Sequence, residues 1–316
     1  MRSRRRAWAL VTAGLAAAFA PVAAGAAGAA EPLRWKFEPG QRLPYRIEKR
    51  MQMEIDGAEA GVEATDLTQT IDMAWVVEAV DPAGAARMVH DVTRVQVAMR
   101  GRPGQGYTFD TRSPDPPEDL ARLIAPLFRT LVETDYRVTI TPRGEMRDVA
   151  APADLLDAMQ RTPGGEGLDR FAAETLVGPA VTPLPEGPVE PGDEWRQTSM
   201  ATVPAYGRQK TTTTFRYDGP ASGTPGGLVR LTPTVEIATA MGGADLPVTG
   251  TLKSLGAKGE VLFDRAAGRL HASKIEQKLA SQLTVGSSKV QGTLTLTTTV
   301  TYGEPAEPAT RRSCDR

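Results

Sequence analysis

The chain has 316 residues, 41% of them hydrophobic, with 37 Lys and Arg against 38 Asp and Glu and a single cysteine, Cys314. Four of the basic residues lie in the first thirty positions, which hold no acid, so the rest is mildly acidic. That disfavours nucleic acid and anionic membrane surfaces, which select basic footprints, and one thiol makes no intramolecular disulfide, so the fold must rest on an apolar core.

Arg2, Arg4, Arg5 and Arg6 precede the uncharged run Ala7 to Ala20, then Pro21 and small residues up to Ala30. The pattern is that of a signal peptide over residues 1–30, with A-x-A cleavage at Ala24-Gly25-Ala26 or Ala27-Gly28-Ala29. It predicts export to the periplasm or beyond, by the Sec or twin-arginine route, with no transmembrane anchor after cleavage. No cysteine near that region disfavours a lipid anchor.

Trp35 to Gln41 forms a lead-in turn. Leu43, Tyr45, Ile47, Lys49, Met51, Met53 and Ile55 then alternate with polar residues, the period of a strand with one buried face. Its thirteen residues span about 43 Å, far beyond a usual strand, which predicts a large curved sheet or barrel wall. Lys49 interrupts the apolar face, as expected near a sheet edge or for a snorkelling head. Leu67 to Val80 and Ala86 to Arg100 continue as a meander around Asp81-Pro82-Ala83-Gly84. Gly101 to Asp115 reads as a Gly/Pro-rich loop.

The period then changes. Leu120, Leu123, Ile124, Leu127, Phe128 and Leu131 recur at spacings of three and four, predicting an amphipathic helix over Pro117 to Glu133 that Pro126 kinks. Pro116, Pro117, Glu118 and Asp119 suit its N-terminus. Such a helix either covers the sheet as core or serves as a lid over an apolar ligand, and those six residues are the candidate lid.

Beyond it come strands at Tyr136 to Ile140 and Met146 to Val149, and helical pieces at Pro152 to Gln160 and Gly167 to Leu176. Gly178 to Gly187 holds five Gly and Pro residues and marks a boundary. The expected organisation is an N-terminal β subdomain with a helical insertion (31–178), a C-terminal antiparallel β subdomain (188–303) and a tail (304–316). The two β parts are also able to form one continuous domain. The second part carries strands at Trp195 to Val203, Arg208 to Tyr217, Leu228 to Met241, Val248 to Leu255, Gly259 to Asp264 and Leu270 to Val285. It ends in Val290 to Tyr302, where Leu294, Leu296 and Val300 alternate with Thr293, Thr295, Thr297, Thr299 and Thr301. Phe263 to Leu270 is a hairpin turn with Gly268. Glu38-Pro39-Gly40-Gln41 and Glu190-Pro191-Gly192-Asp193 each introduce a strand, a possible internal echo. The fold class is therefore mainly β (α+β): a large curved antiparallel sheet or half-barrel of long strands with a covering amphipathic helix.

Signals for chemistry are sparse. His90 and His271 sit in no metal-ligand or nucleophile spacing, and His90 and Asp91 point to opposite faces of a strand. Arg102 to Tyr107 lacks the Lys-Ser/Thr of a phosphate loop. Glu118, Asp119, Asp154 and Asp157 are explained by helix dipoles and solvent, and the twelve threonines from Thr198 to Thr251 by their preference for exposed strands. No catalytic, cofactor-binding or metal-ligating residue is assigned, and the chain is read as no enzyme.

Leu184-Pro185-Glu186-Gly187-Pro188-Val189-Glu190-Pro191-Gly192-Asp193-Glu194-Trp195 holds a P-V-x-x-G-D-x-W turn. Gly259-Glu260-Val261-Leu262-Phe263-Asp264 leads through Gly268-Arg269 into an F-D-x-x-x-G-R turn. With Leu33 to Tyr45, these resemble a family of exported bacterial β-rich proteins, a domain of unknown function; the resemblance spans most of the mature chain. It implies export and a sheet architecture and carries no catalytic residues.

The expected function is a non-catalytic binding or scaffolding module of the cell envelope, its partner an apolar small molecule or an envelope protein. A lipid-carrying half-barrel, like the outer-membrane lipoprotein carriers, is its sharper form. The alternatives are a secreted hydrolase using carboxylates and a purely structural envelope protein.

Overall fold

Period-two patterning dominates the described part of the chain and yields twelve strands and two helices. The computed structural model describes residues 31–57, 61–101, 106–118, 120–162, 181–203, 207–221, 227–241, 248–285 and 288–303. The elements are β1 (Arg42–Gly57), β2 (Gly61–Val80), β3 (Ala86–Arg100), β4 (Tyr107–Asp110), α1 (Ala121–Glu133), β5 (Tyr136–Ile140) and β6 (Met146–Ala150). There follow α2 (Ala153–Arg161), β7 (Glu194–Val203), β8 (Gly207–Pro220), β9 (Leu228–Met241), β10 (Val248–Asp264), β11 (Arg269–Val285) and β12 (Ser288–Tyr302). All strands join one open antiparallel sheet in the order β6-β5-β3-β2-β1-β12-β11-β10-β9-β8-β7, with β4 beside β3.

Several expectations are refined by this arrangement. Lys49 is not at an edge: β1 lies mid-sheet, and Lys49 pairs with Gln69 on one side and Thr298 on the other. The Gly/Pro-rich stretch contains a strand, β4, whose four residues pair with β3. The segments Val248 to Leu255 and Gly259 to Asp264 are one strand, bulged between Ser254 and Gly256. α1 begins at Ala121 rather than Pro117 and runs through Pro126. The expected helix at 167–176, Asp119, residues 102–105 and the tail 304–316 lie outside the described residues.

The first and last strands tie the two halves together. β1 and β12 pair from Tyr45↔Tyr302 to Asp56↔Gln291, so the sheet is continuous across the expected boundary. The described residues from Glu31 onward form one compact unit.

The sheet is rolled at one end, as backbone hydrogen bonds require. Trp35 N donates to Pro142 O at 2.8 Å, and Lys36 N donates to Gly268 O at 2.9 Å. Pro142 lies in the β5–β6 turn and Gly268 in the β10–β11 turn. Five strand spacings separate β5 from β11, about 24 Å in a flat sheet, yet two consecutive residues touch both turns. Residues 183 and 184 bridge the remaining gap: Leu184 N donates to Arg143 O at 2.8 Å and Trp195 Nε1 donates to Pro183 O at 3.0 Å. Residues 181–187 of the breaker-rich stretch thus pack into the closed end, where Leu184 is buried.

Aromatic rings plug that end. Trp35 is 2% exposed and lies 6.0 Å from Phe37, 6.1 Å from Trp75 and 5.5 Å from Phe263, centroid to centroid. Its Nε1 donates to Thr182 O at 2.9 Å, which satisfies its one polar atom. Tyr45 extends the cluster to Tyr302 at 5.5 Å.

The outer face is polar. Thr293, Thr295, Thr297, Thr299 and Thr301 stand in register with Glu54, Gln52, Arg50, Glu48 and Arg46 of β1, and the opposite neighbours on β11 include Lys274, Glu276 and Lys278. Arg46 Nε donates to Asp72 Oδ1 at 2.7 Å and Arg94 Nε to Asp110 Oδ1 at 3.0 Å. A transmembrane barrel turns an apolar band outward; here the apolar positions point inward.

The two echoing turns have the same geometry. Gly40 and Gly192 both have positive φ, 78° and 101°. Gly40 N donates to Val77 O and Val77 N to Gln41 O, while Gly192 N donates to Tyr217 O and Tyr217 N to Asp193 O. Register shifts follow at Val77/Ala79 and at Tyr217/Gly219. The same turn, hairpin and bulge therefore open each half of the sheet.

Candidate functional site: an apolar trough on the inner face

Cross-strand register builds the inner face in rows. The deepest row next to the aromatic plug is Ile71, Ile47 and Val300, all at most 2% exposed. The next row outward is Gln69, Lys49 and Thr298, three polar side chains side by side and each half-buried. Beyond it come Leu67, Met51 and Leu296, then Thr65, Met53 and Leu294, again half-buried. On β1, β2 and β12 an apolar wall thus continues half-buried past the packed core, while Leu279, opposite Leu294 on β11, is buried. From Lys49 to Ile55 it runs six residues, about 20 Å.

Lys49 is a charged residue on the inner face of β1, in register with Gln69 and Thr298. Burial pushes its ammonium down to about 8, because the charged form gives up hydration on entering an apolar surround.

Helix α1 forms a side wall on β3 and β4. Phe128 stacks on Phe109 of β4 at 6.2 Å, and Phe109 pairs with Val97 on the inner face of β3. Of the six candidate lid residues, Phe128 and Leu131 are buried and Ile124 and Leu127 half-buried. Leu120 and Leu123 point to solvent, 43% and 50% exposed. Ala121 and Ala125 take the inward positions instead, at 1% each. Their i, i+4 spacing with Phe128 at i+7 was the signal available, hidden because small residues weigh little in an apolar pattern.

The other candidates lie apart. His90 is buried, with Nε2 2.8 Å from Met73 Sδ and its ring edge-on to Tyr136. Burial pushes its imidazole down to about 3 against the smaller pull of Asp91. His271, Glu118, Asp154 and Asp157 are exposed, and Asp157 pairs with Arg161 at 3.4 Å. A polar groove of about 950 Å³ crosses the outer face between Thr70, Gln96, Thr108 and the loop at Asp115, and its Asp110 is committed to Arg94. Among the described residues no group of three or more His, Cys, Asp or Glu is placed to hold a metal ion. No helix among them is long and apolar enough to cross a membrane.

These features define an open, rolled antiparallel sheet, polar outside and apolar inside, plugged at one end. No protein-family model matches the chain, and no curated protein matches it. Among solved structures it is similar to a lipovitellin chain from a study of lipid–protein interactions, at 12% identity and a TM-score of 0.47 over 86% of this chain. The chain spans 26% of that lipovitellin chain. It is also similar to DynF from the dynemicin biosynthesis pathway of Micromonospora chersina, with 10% identity, a TM-score of 0.22 and coverage of 89% of this chain and 88% of that one. A third is OccK5 (OpdH) of Pseudomonas aeruginosa, with 5% identity, a TM-score of 0.24 and coverage of 84% and 99%. With TM-scores below 0.5, these likenesses carry no functional weight.

Proposed function

We propose that the chain is an exported, non-catalytic binding protein whose trough holds an apolar ligand. One observation carries the reading: past the polar row of Gln69, Lys49 and Thr298 the inner face of β1, β2 and β12 is apolar again and only half-buried, through Leu67, Met51, Leu296, Met53 and Leu294. Apolar surface left in partial contact with water inside a concave sheet is stabilised by an apolar occupant. Two of these residues are methionines, whose flexible thioethers fit ligands of varied shape. The carboxylates Asp72 and Asp110, on the outer face, are engaged by Arg46 and Arg94, which disfavours the hydrolase reading. The arginine-led apolar segment at residues 1–30 supports export.

Organic extraction of the protein purified under mild conditions, followed by mass spectrometry, tests this reading. A stoichiometric apolar molecule, lost in Leu296→Asp, is expected. Protein that carries nothing and leaves a neutral polarity-sensitive dye unbound would sink it, and leave a scaffold in the envelope.

A further inference from the structure

We infer that the groove on the outer face of β2, β3 and β4 binds a neutral oligosaccharide, at a second site independent of the trough. The argument begins with register. Thr68, Ala98 and Thr108 form one cross-strand row, and Thr70, Gln96 and Asp110 form the next. Side chains on such a face stand roughly 5 Å apart across strands and roughly 7 Å apart along them, comparable to the separation of hydroxyls across a sugar ring. Ala98 is the smallest of the six, so the floor dips between the two threonines that flank it. The loop with Ser113, Asp115 and Glu118 supplies the rest of the lining. The groove holds about 950 Å³, at the upper end of small-molecule sites, which is room for several sugar rings.

The polar groups of this lining are available to a ligand. The hydroxyls of Thr68, Thr70 and Thr108 make no hydrogen bond to any other described residue, and Glu118 makes no ion pair among them. Asp110, by contrast, accepts from Arg94 Nε at 3.0 Å and from Gln96 Nε2 at 3.2 Å, which orients the Gln96 carboxamide and leaves its carbonyl oxygen to accept. Hydroxyls that both donate and accept, beside carboxylates that only accept, match the hydroxyl-dense surface of a sugar. No Lys or Arg is among the described lining residues, and the neighbouring Arg94 is engaged by Asp110, so Asp115 and Glu118 repel anionic ligands. A polyamine would meet those two carboxylates but leave the threonine rows without partners. Tyr107 and Pro117, both half-buried, add apolar surface for the C–H face of a pyranose.

Titrating the isotope-labelled protein with cellotetraose, chitotetraose and maltotetraose, and separately with spermidine, tests this by amide shift mapping. At least one tetrasaccharide at millimolar concentration should shift the amides of Thr70, Gln96, Ala98 and Thr108, while spermidine leaves them in place. Ala98→Trp, which fills the floor of the groove, should abolish those shifts. Thr108→Ala should weaken binding about fivefold, the size of one neutral hydrogen bond. Spermidine shifting these amides in place of the sugars, or sugar binding undiminished in Ala98→Trp, would overturn the assignment. So would the absence of any shift with all three sugars, a result the wild type delivers even if a variant misfolds.

Discussion

The two ends of the inner face differ in what completes them. At the closed end, Trp35, Trp75, Tyr45 and Phe263 meet one another, and the segments 33–36 and 182–185 supply the missing hydrogen bonds. At the open end the same strands present Met51, Met53, Leu294 and Leu296 at the same alternation, yet these side chains remain partly exposed. Sequence pattern alone treats both ends alike. The difference is made by chain segments with no period of their own, which settle over one end.

The contrast predicts unequal responses to truncation. Trp35→Ala should lower unfolding free energy by about 4 kcal/mol, because it empties a fully buried indole site and orphans Thr182 O. Leu296→Ala, at a partly exposed site, should lower it by about 1 kcal/mol or less. Urea denaturation of both variants measures this, and equal losses would dissolve the distinction between the ends.

Titration sharpens it further. His90, beside the plug, has its pKa depressed from 6.5 to about 3, so the unfolded chain binds the extra proton first. Stability present above pH 6.5 should be lost as the pH falls toward 3, by on the order of 3 kcal/mol from this residue. Melting curves of His90→Leu across that range should show the correspondingly shallower acid slope.

Lys49, in the trough, acts in the same direction in a more alkaline window. Its pKa falls from 10.5 to about 8, so its burden on the fold is full below pH 8 and is relieved as the pH rises to 10.5. Lys49→Met should therefore stabilise the protein at pH 7 by about 1–2 kcal/mol after allowance for solvent screening, with the gain fading across that alkaline window. Thermal melts of the variant and wild type between pH 7 and pH 10.5 provide the check.

Much of the fold was legible because strands write their facing into alternate residues. β1, β3 and β12 lie close to where period two places them, and the turns at Gly40, Gly192 and Gly268 carry the glycines that their positive φ requires. What escaped was non-local. Lys49 reads as a blemish until Gln69 and Thr298 are known to flank it, and Thr298 lies about 249 residues further along the chain. β4 is too short for its alternation to register within a Gly/Pro-rich stretch. Period two splits β10 in two, because the bulge between Ser254 and Gly256 breaks the alternation without ending the strand. The leucine stripe is rotated from the face that packs, since Ala121 and Ala125 allow a close approach that Leu120 and Leu123 would block.

Pairing of β1 with β12 also governs when this sheet can assemble. Partners from Tyr45↔Tyr302 to Asp56↔Gln291 are separated by most of the chain, so the middle of the sheet closes only after the last strand has been made. Until then β1 presents a long unpaired edge, a template for pairing with other chains. Folding with such remote contacts is slow, and the nascent protein depends on being kept apart from its neighbours until its final strand arrives.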